Sequence, residues 1–509
     1  MAENKNYDSQ FCGNLAIHQT NSIQDYGFLL VIDKTTLEIV QGSENIDQIF
    51  ETKIQDLVGN RLADFLTEED LTHLRSEIDK GERSRLPFHF ALKRQSTPIS
   101  LYILAHVKQD FVILEIEKET EAAERTFTDV FQEVRSFIST IEKTGSLQEI
   151  CESSIKEIRR ISSFDGIRMY SFDKNWNGTV IAEEITGELE SYLGQTFPAS
   201  DVPKQARALY IKNPYRLIPN RSYQSYKLFP VINPISNGFL DLSDCNLRSI
   251  AGVHLEYMAN MGVTASMSIR VMVDGNLWGL ISCHHQTAKY LSVENRAIFE
   301  WLSMEISYRI SSVILQEELT HSTELLKTKA QITENIFAKG SIIKGLIEDE
   351  SMNLNTLFQT SGFCIRLDGA VSSAGILPEH EALENLLLWI EGKAFVNIFS
   401  TNNLSEVYEE ANHFSDIACG LMVIPINPSQ GDFLVCFRPE AVKNIKWGGD
   451  PNQAINFEKD GKSYHPRNSF KLWLETVHGQ SEEWSEMELE NAESLRNFLF
   501  EFCSTQLYN

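Results

Sequence analysis

The chain has 509 residues, enough for about three domains of ordinary size, and its 42% hydrophobic and 10% aromatic content argues for filled cores and against disorder. A formal net charge of −26 repels nucleic acid and anionic membranes. No apolar run reaches the roughly 18 to 20 residues of a membrane span, and the polar stretch from Met1 to Gln10 lacks the apolar core of a secretory signal, so the expected compartment is the cytoplasm.

In chain order, short β-prone runs come first: Phe28 to Ile32, Leu37 to Val40, Phe88 to Leu92, Leu101 to Ala105 and Phe111 to Ile116. They surround a helical middle that includes Leu66 to Ile78 and predict an α+β sensor domain. Glu117 to about Thr144 reads as one amphipathic helix, without Gly or Pro and with apolar residues at Phe127, Val130, Phe131, Val134, Phe137 and Ile138. A second α+β region follows to about Tyr290, with strands at Ile167 to Phe172, Ala265 to Val273 and Leu277 to Cys283. The turn Asp274-Gly275-Asn276 predicts that the last two form a hairpin.

Ser292 to Lys339 contains neither Pro nor Gly, and Ser292 with Asn295 fits a helix start. Apolar residues recur at Phe299, Leu302, Ile306, Ile310, Val313 and Leu319. One helix of that length would run about 70 Å, which suggests a spine between domains or a parallel dimer seam. Two shorter helices with a break near Thr320-His321-Ser322 are the alternative. A third α+β region has strands at Phe363 to Leu367, Leu421 to Ile426 and Phe433 to Phe437. The excursion from Arg438 to Phe470, rich in Gly and Pro, is of a length usually functional or mobile. A final helix spans Glu482 to about Gln506, with Ala492, Leu495, Leu499 and Phe502 on one stripe. The predicted fold class is α+β: three tandem α/β sensor domains, each an antiparallel sheet with helices, joined by long helices.

Eight cysteines are present and no pair has CxxC spacing, so a zinc site or redox pair is not expected. Most sit among apolar neighbours as small core residues. Cys12 differs, because it lies in a polar arm where a core role is hard to justify.

The most specific segment is Phe197-Pro198-Ala199-Ser200-Asp201-Val202-Pro203, where an Asp between two prolines has a restricted backbone. The prolines alone would equally shape a plain turn. Four further segments accompany it in order: His254-Leu255-Glu256-Tyr257-Met258-Ala259-Asn260-Met261-Gly262-Val263, Leu277-Trp278-Gly279-Leu280-Ile281-Ser282-Cys283-His284-His285, Trp447-Gly448-Gly449 after Arg438-Pro439-Glu440, and Pro466-Arg467-Asn468-Ser469-Phe470. Together they resemble the signatures of the phytochrome family, in particular a bacteriophytochrome photosensory module, with Val202 in place of the usual Ile. The resemblance implies a PAS domain with an N-terminal attachment arm over 1–120, a bilin-binding GAF domain over 121–315, and a PHY domain over 316–509 with a tongue at about 438–470.

It also implies a linear tetrapyrrole with two propionates. Arg216 and Arg248 would supply cations to the carboxylates, with hydroxyls from Tyr210, Ser266 and Ser268. Asp201 and His254 would sit by the pyrrole nitrogens, with His254 a plausible proton relay because histidine titrates near neutrality. His284 would hydrogen-bond the carbonyl of the last ring, and Tyr170, Phe197 and Tyr257 would line the space in which that ring turns. Plant and cyanobacterial relatives carry a Cys directly before this His; here Val253 stands there, and Cys245 is taken as incidental. The arm Cys12-Gly13-Asn14-Leu15-Ala16-Ile17-His18, followed by Ser22-Ile23-Gln24, resembles the bacterial attachment site. The implied ligand is therefore biliverdin, in a thioether at Cys12. Asp25-Tyr26 replaces the family's Pro-His and is expected to loosen the threading of this arm.

The implied function is a red/far-red photoreceptor in which Arg467 pairs with Asp201 in one state, the tongue refolds in the other, and the helix spine relays the change. No kinase or cyclase motif is found: Gly448-Gly449-Asp450 is followed by Pro451-Asn452 and not by Glu-Phe. The chain is expected to be non-enzymatic, a homodimer that signals to an output domain or a separate partner. Alternatives are the sensory part of a histidine kinase or diguanylate cyclase whose catalytic domain lies elsewhere, and a GAF domain that binds a cyclic nucleotide.

Overall fold

The structure is a computed structural model that describes residues 16–93, 98–119, 127–187, 189–347, 353–451, 455–457, 464–467 and 469–506. It comprises two compact units, one of Met1–Val313 with Lys446–Trp473 and one of Ile314–Ile445 with Leu474–Asn509.

The first unit holds two large sheets and a two-stranded one, Ile455–Phe457 with Tyr464–Pro466. In the first, the strand order is Ser22–Ile23, Tyr226–Phe229, Ile39–Ser43, Phe28–Asp33, Phe111–Lys118, Ile99–Val107, Arg83–Leu92. Successive strand side chains point to opposite faces. Phe28, Leu30 and Ile32 enter one core with Leu71, Leu74 and Ile78 of the helix Glu68–Ile78. Leu29 and Val31 enter another with Leu228, Leu240 and Leu247. An unbroken apolar strand is thus explained by burial on both sides. The second face is covered by chain from residues 226–247, which no local pattern reveals.

Here the arm is anchored. Ile23 bridges Arg248, and the buried Gln24 amide donates to the carbonyls of Leu217 and Asn246, each at 3.2 Å. Asp25 accepts from the Gln224 backbone N–H at 3.1 Å, and Tyr26 packs 5.9 Å from the Tyr290 ring. Both residues that replace the family's Pro-His thus have contacts of their own.

The second sheet begins Tyr215–Ile218, Ala265–Val273, Asn276–His285, Gly166–Phe172, Gly178–Ile185, Thr196–Phe197, and Trp447 of its next strand pairs with Thr196. The predicted hairpin forms, with Val273 opposite Asn276. The predicted helix from Glu117 is corrected: residues to Lys118 complete a strand, and the described helix is Phe127–Ile141. Glu117 is buried because Arg296 (2.6 Å) and the Tyr290 hydroxyl (2.7 Å) satisfy its carboxylate, so its charge did not mark a solvated helix.

The second unit has a five-stranded antiparallel sheet ordered Ala370–Gly375, Gly362–Leu367, Asp432–Arg438, Gly420–Asn427, Phe399–Thr401. One face packs against Leu325, Ile332, Ile336, Leu495 and Leu499; the other packs against Leu386, Ile390 and Tyr408. The C-terminal helix is Glu486–Gln506, four residues shorter at its start than expected.

The long helix is continuous from Val293 to Lys339, beginning in the first unit and ending in the second, with no break at Thr320-His321-Ser322. Phe299, Leu302, Ile306, Ile310 and Val313 are core residues, but Leu319 is exposed. Leu319 belongs instead to a second stripe, Met304, Tyr308, Leu315, Leu319 and Leu326, all exposed and spaced 4-7-4-7. Among the described residues, no helix is long and apolar enough to cross a membrane.

Candidate functional site

One cavity in the first unit is lined by Tyr170, Phe197, Asp201, Tyr210, Arg216, Arg248, His254, Tyr257, Ser266, Ser268 and His284, so eleven predicted residues from six separate stretches converge. Cys12 lies outside the described residues. Arg467 does not line the cavity but reaches Asp201 from outside it.

Local chain geometry sets up the Asp201 end. Pro198 precedes a single 3-10 turn, Ala199–Asp201, and Pro203 caps the helix Lys204–Lys212. Both are positions where a missing N–H costs nothing. Arg207, which the motif reading passed over, donates to the Val202 carbonyl at 2.7 Å and lies 4.6 Å from the Trp176 ring, bracing the turn. Asp201 then points one carboxylate oxygen at the Arg467 guanidinium and accepts from the Tyr257 hydroxyl at 2.8 Å on the other. Arg467 is 3% exposed, donates to the Gly448 carbonyl at 2.5 Å, and lies 5.7 Å from the rings of both Phe197 and Phe470. Burial alone would push its pKa down, but Asp201 and Tyr257 hold it above the ordinary value.

The Trp447-Gly448-Gly449 segment has a steric reason. A Cβ on Gly448 would stand 2.5 Å from the Phe197 ring, and Gly449 has φ +103°, a backbone that side chains rarely adopt. Trp447 pairs in parallel with Thr196 beside it. Asn260 donates to the Arg467 carbonyl at 3.0 Å, and His465 meets Glu256 at 2.9 Å.

On the helix Gly252–Asn260, His254 and Tyr257 share a face, their rings 6.1 Å apart and within 6° of parallel. His254 is one of the residues that line the cavity. Burial pushes its pKa down to about 4, with Arg216 adding to the effect. That direction favours a neutral ring at pH 7. Burial pushes Tyr170 up to about 12 and Tyr257 well above the ordinary range, so both stay protonated.

The other end is different. Arg216 donates to the carbonyls of Cys245 (3.3 Å), Asn246 and Arg248; Arg248 donates to that of Leu242 at 3.1 Å. Neither guanidinium has a carboxylate within 4.0 Å among the described residues. Burial pushes Arg248 down to about 9 and lowers Arg216 as well. The opposing charge that acts on both is Glu115, and burial outweighs it, so a ligand that brings further negative charge would relieve the pair. Ser266, Ser268 and Tyr210 face the same space. A long, largely apolar ligand with carboxylates at one end fits these donors.

Two further residues matter, Cys245, taken as incidental from the sequence, and Arg168. Cys245 lines the cavity, but its thiol is buried and pushed well above the ordinary range, so little thiolate is present. With His106 and Glu115 it forms the one trio of potential metal ligands among the described residues. His106 Nδ1 accepts from the Arg85 N–H (3.3 Å) and its Nε2 faces Glu115 (2.9 Å), so hydrogen bonds already occupy both ring nitrogens. Arg168 was also passed over, although an Arg between Ile167 and Met169 in an apolar strand was a visible signal. It is buried behind His284, with Nη1 3.2 Å from His284 Nδ1.

Comparison with known proteins agrees with this geometry. Family models match as a PAS fold over residues 12–119, a GAF domain over 146–310 and a phytochrome region over 325–507. The chain is 35% identical over 492 residues to cyanobacterial phytochrome B of Nostoc sp., covering 96% of this chain and 65% of that one. It is 30% identical to a bacteriophytochrome of Xanthomonas campestris pv. campestris, covering 96% and 78% respectively. The structure of the Stigmatella aurantiaca phytochrome photosensory core module matches with a TM-score of 0.81 and 33% identity, over 97% of this chain and 98% of that one. The chain spans about two thirds of the length of the first of these relatives. It belongs to the phytochromes, a family of red/far-red photoreceptors, and carries their PAS–GAF–PHY photosensory module.

Proposed function

We propose that the chain binds biliverdin in this cavity through a thioether at Cys12 and acts as a red/far-red photosensor. The observation that carries the reading is the pair Arg216 and Arg248, two guanidiniums on an apolar cavity with no carboxylate beside them. When bound, the tetrapyrrole supplies absorption of red light and a double bond that isomerises. The protein's part is to hold its two carboxylates at Arg216 and Arg248, with Tyr210, Ser266 and Ser268 close by. The carbonyl of Asp201 and the neutral His254 stand toward the ring nitrogens, His284 toward a terminal carbonyl, and Tyr170, Phe197 and Tyr257 around that terminal ring.

The arm supports attachment at Cys12. Ile17 lines the cavity, and five residues of extended chain from there to Cys12 span up to about 17 Å. No thiol is available at Val253, and that of Cys245 is protonated. In this reading the domains are PAS over 1–120, GAF over 121–315 and PHY over 316–509. Movement passes from the Arg467–Asp201 pair into the long helix, and the output is a catalytic domain or partner outside this chain. The exposed stripe from Met304 to Leu326 supports a homodimer, since a 4-7 spacing keeps apolar side chains on one helix face. The test is direct: mix apoprotein with biliverdin, record spectra before and after red light, denature, and look for zinc-induced fluorescence on the protein band. A photoswitchable red-absorbing adduct that survives in Cys245→Ala and is lost in Cys12→Ala is expected. An adduct that survives in Cys12→Ala would contradict the attachment site; no coloured species at all would contradict the function.

A further inference from the structure

Arg168 lies on the strand Gly166–Phe172, where its strand neighbours Ile167 and Met169 are core residues. Its side chain is 1% exposed, yet four groups hold it. Nε donates to Glu183 Oε1 at 2.6 Å and Nη2 to the Glu190 carbonyl at 2.6 Å. The guanidinium carbon lies 4.6 Å from the Tyr192 ring centre. Nη1 approaches Nδ1 of His284 at 3.2 Å. Glu183 is itself held by the Ser191 hydroxyl at 2.5 Å and the Tyr192 N–H at 3.0 Å. A hydrophobic residue would fill this space at less desolvation cost than a buried ion pair, so packing alone does not account for Arg168.

The chemistry of the donors does. A guanidinium carries only N–H donors, so the atom it faces must offer a lone pair. His284 Nδ1 is then the acceptor, and the single proton of the neutral ring sits on Nε2. That atom is 2.8 Å from Ser282 Oγ, and both side chains line the cavity. We propose that Arg168 is a positioning residue that fixes His284 as its Nε2–H tautomer, so that the ring nitrogen next to Ser282 on the cavity side is always the donor and never the acceptor. The charged and titratable groups around the ring are Arg168 with Glu183 behind it, and His254 across the cavity. Burial and then Arg168 push His284 down to about 3, so it also stays neutral in the physiological range. A ligand whose terminal ring ends in a carbonyl oxygen is accepted at this point; one that offers only a donor is not. This last step rests on the biliverdin reading, whereas the tautomer is a property of the protein itself.

The test uses apoprotein labelled with 15N-histidine, the His284 signals being identified by their loss in His284→Gln. Wild type is expected to show an unprotonated Nδ1 and a protonated Nε2, unchanged between about pH 5.5 and 8.5. Arg168→Met is expected to give mixed tautomers and a His284 that titrates at higher pH. Arg168→Lys, which keeps a donor, is expected to restore the single form. Because Arg168→Met strands the Glu183 carboxylate, Arg168→Met/Glu183→Gln repeats the measurement with both charges removed. If His284 in that double variant keeps a pure Nε2–H form and still does not titrate, or if wild type shows Nδ1–H, the proposal is overturned. Biliverdin is then added: the wild-type band is expected to be independent of pH and that of the double variant to shift with it. Failure of both proteins to take up biliverdin would count against the proposed function and leave the tautomer result to decide the role of Arg168.

Discussion

The two ends of the cavity handle charge in opposite ways. At the Asp201 end every charge has a protein partner: Asp201 holds Arg467 and Tyr257, and Arg467 in turn holds Gly448. At the Arg216 end two cations donate to backbone carbonyls alone, with Glu115 acting on them without contact. The first arrangement is complete without a ligand and can be rearranged, as a switch requires. The second is incomplete until an anion arrives, as a docking point requires. One end is thus built to exchange partners and the other to wait for one.

Removing the waiting charges is expected to have the largest effect. Charge-assisted hydrogen bonds contribute about 1.5–3 kcal/mol each, so Arg216→Met/Arg248→Met should weaken biliverdin binding by roughly two to four orders of magnitude. In an absorbance titration the apoprotein should bind far more weakly while its melting temperature holds or rises, because two uncompensated cations are gone. A falling melting temperature with intact affinity would invert the comparison.

Breaking the satisfied end should harm the protein even without ligand. Arg467→Ala leaves Asp201 buried without its cation, a loss of about 3–5 kcal/mol in such pairs. Hydrogen exchange at Trp447 should accelerate, and flash spectroscopy of the loaded protein should show faster dark relaxation. Unchanged relaxation would count against the tie between Arg467 and Asp201 as a brake.

The histidines give a pH signature of intermediate size. His254 and His284 have folded pKa values of about 4 and about 3, below the unfolded value near 6.5. The unfolded chain therefore binds more protons in that window, and stability is full above pH 6.5 and lost as pH falls toward 4. Urea midpoints measured from pH 7.5 down to 4.5 should drop, and His284→Gln should flatten the slope. The smallest effect is expected from Tyr257→Phe, which removes a 2.8 Å hydrogen bond to Asp201 but leaves Arg467 in place. About 1 kcal/mol of stability should be lost, seen as a shift of the denaturation midpoint.

Much of this was legible from residue order. Short apolar, β-prone runs such as Phe28 to Ile32 gave strands, the Gly- and Pro-free stretch to Lys339 gave one helix, and the segment with Asp201 between two prolines gave the turn that aims it. What escaped depended on distant partners. Glu117 looked solvated because Arg296 lies far along the chain. The strand Gly178–Ile185 was hidden by Glu183 and Glu184, one of which neutralises Arg168. The strand Tyr226–Phe229 joins a sheet built from residues nearly two hundred positions earlier. Leu319 fell in the apolar rhythm of the helix but lies on the opposite stripe, since the core side ends near Val313. His254 was expected to titrate near neutrality because its identity shows and the Arg216 charge that helps to lower its pKa does not.

The most direct measurement compares the affinity of the apoprotein for biliverdin with that for its dimethyl ester, in which both carboxylates are masked. The account predicts that wild type binds the ester at least about a hundredfold more weakly, and that Arg216→Met/Arg248→Met binds the two alike. Equal affinity of the wild-type protein for acid and ester would contradict it.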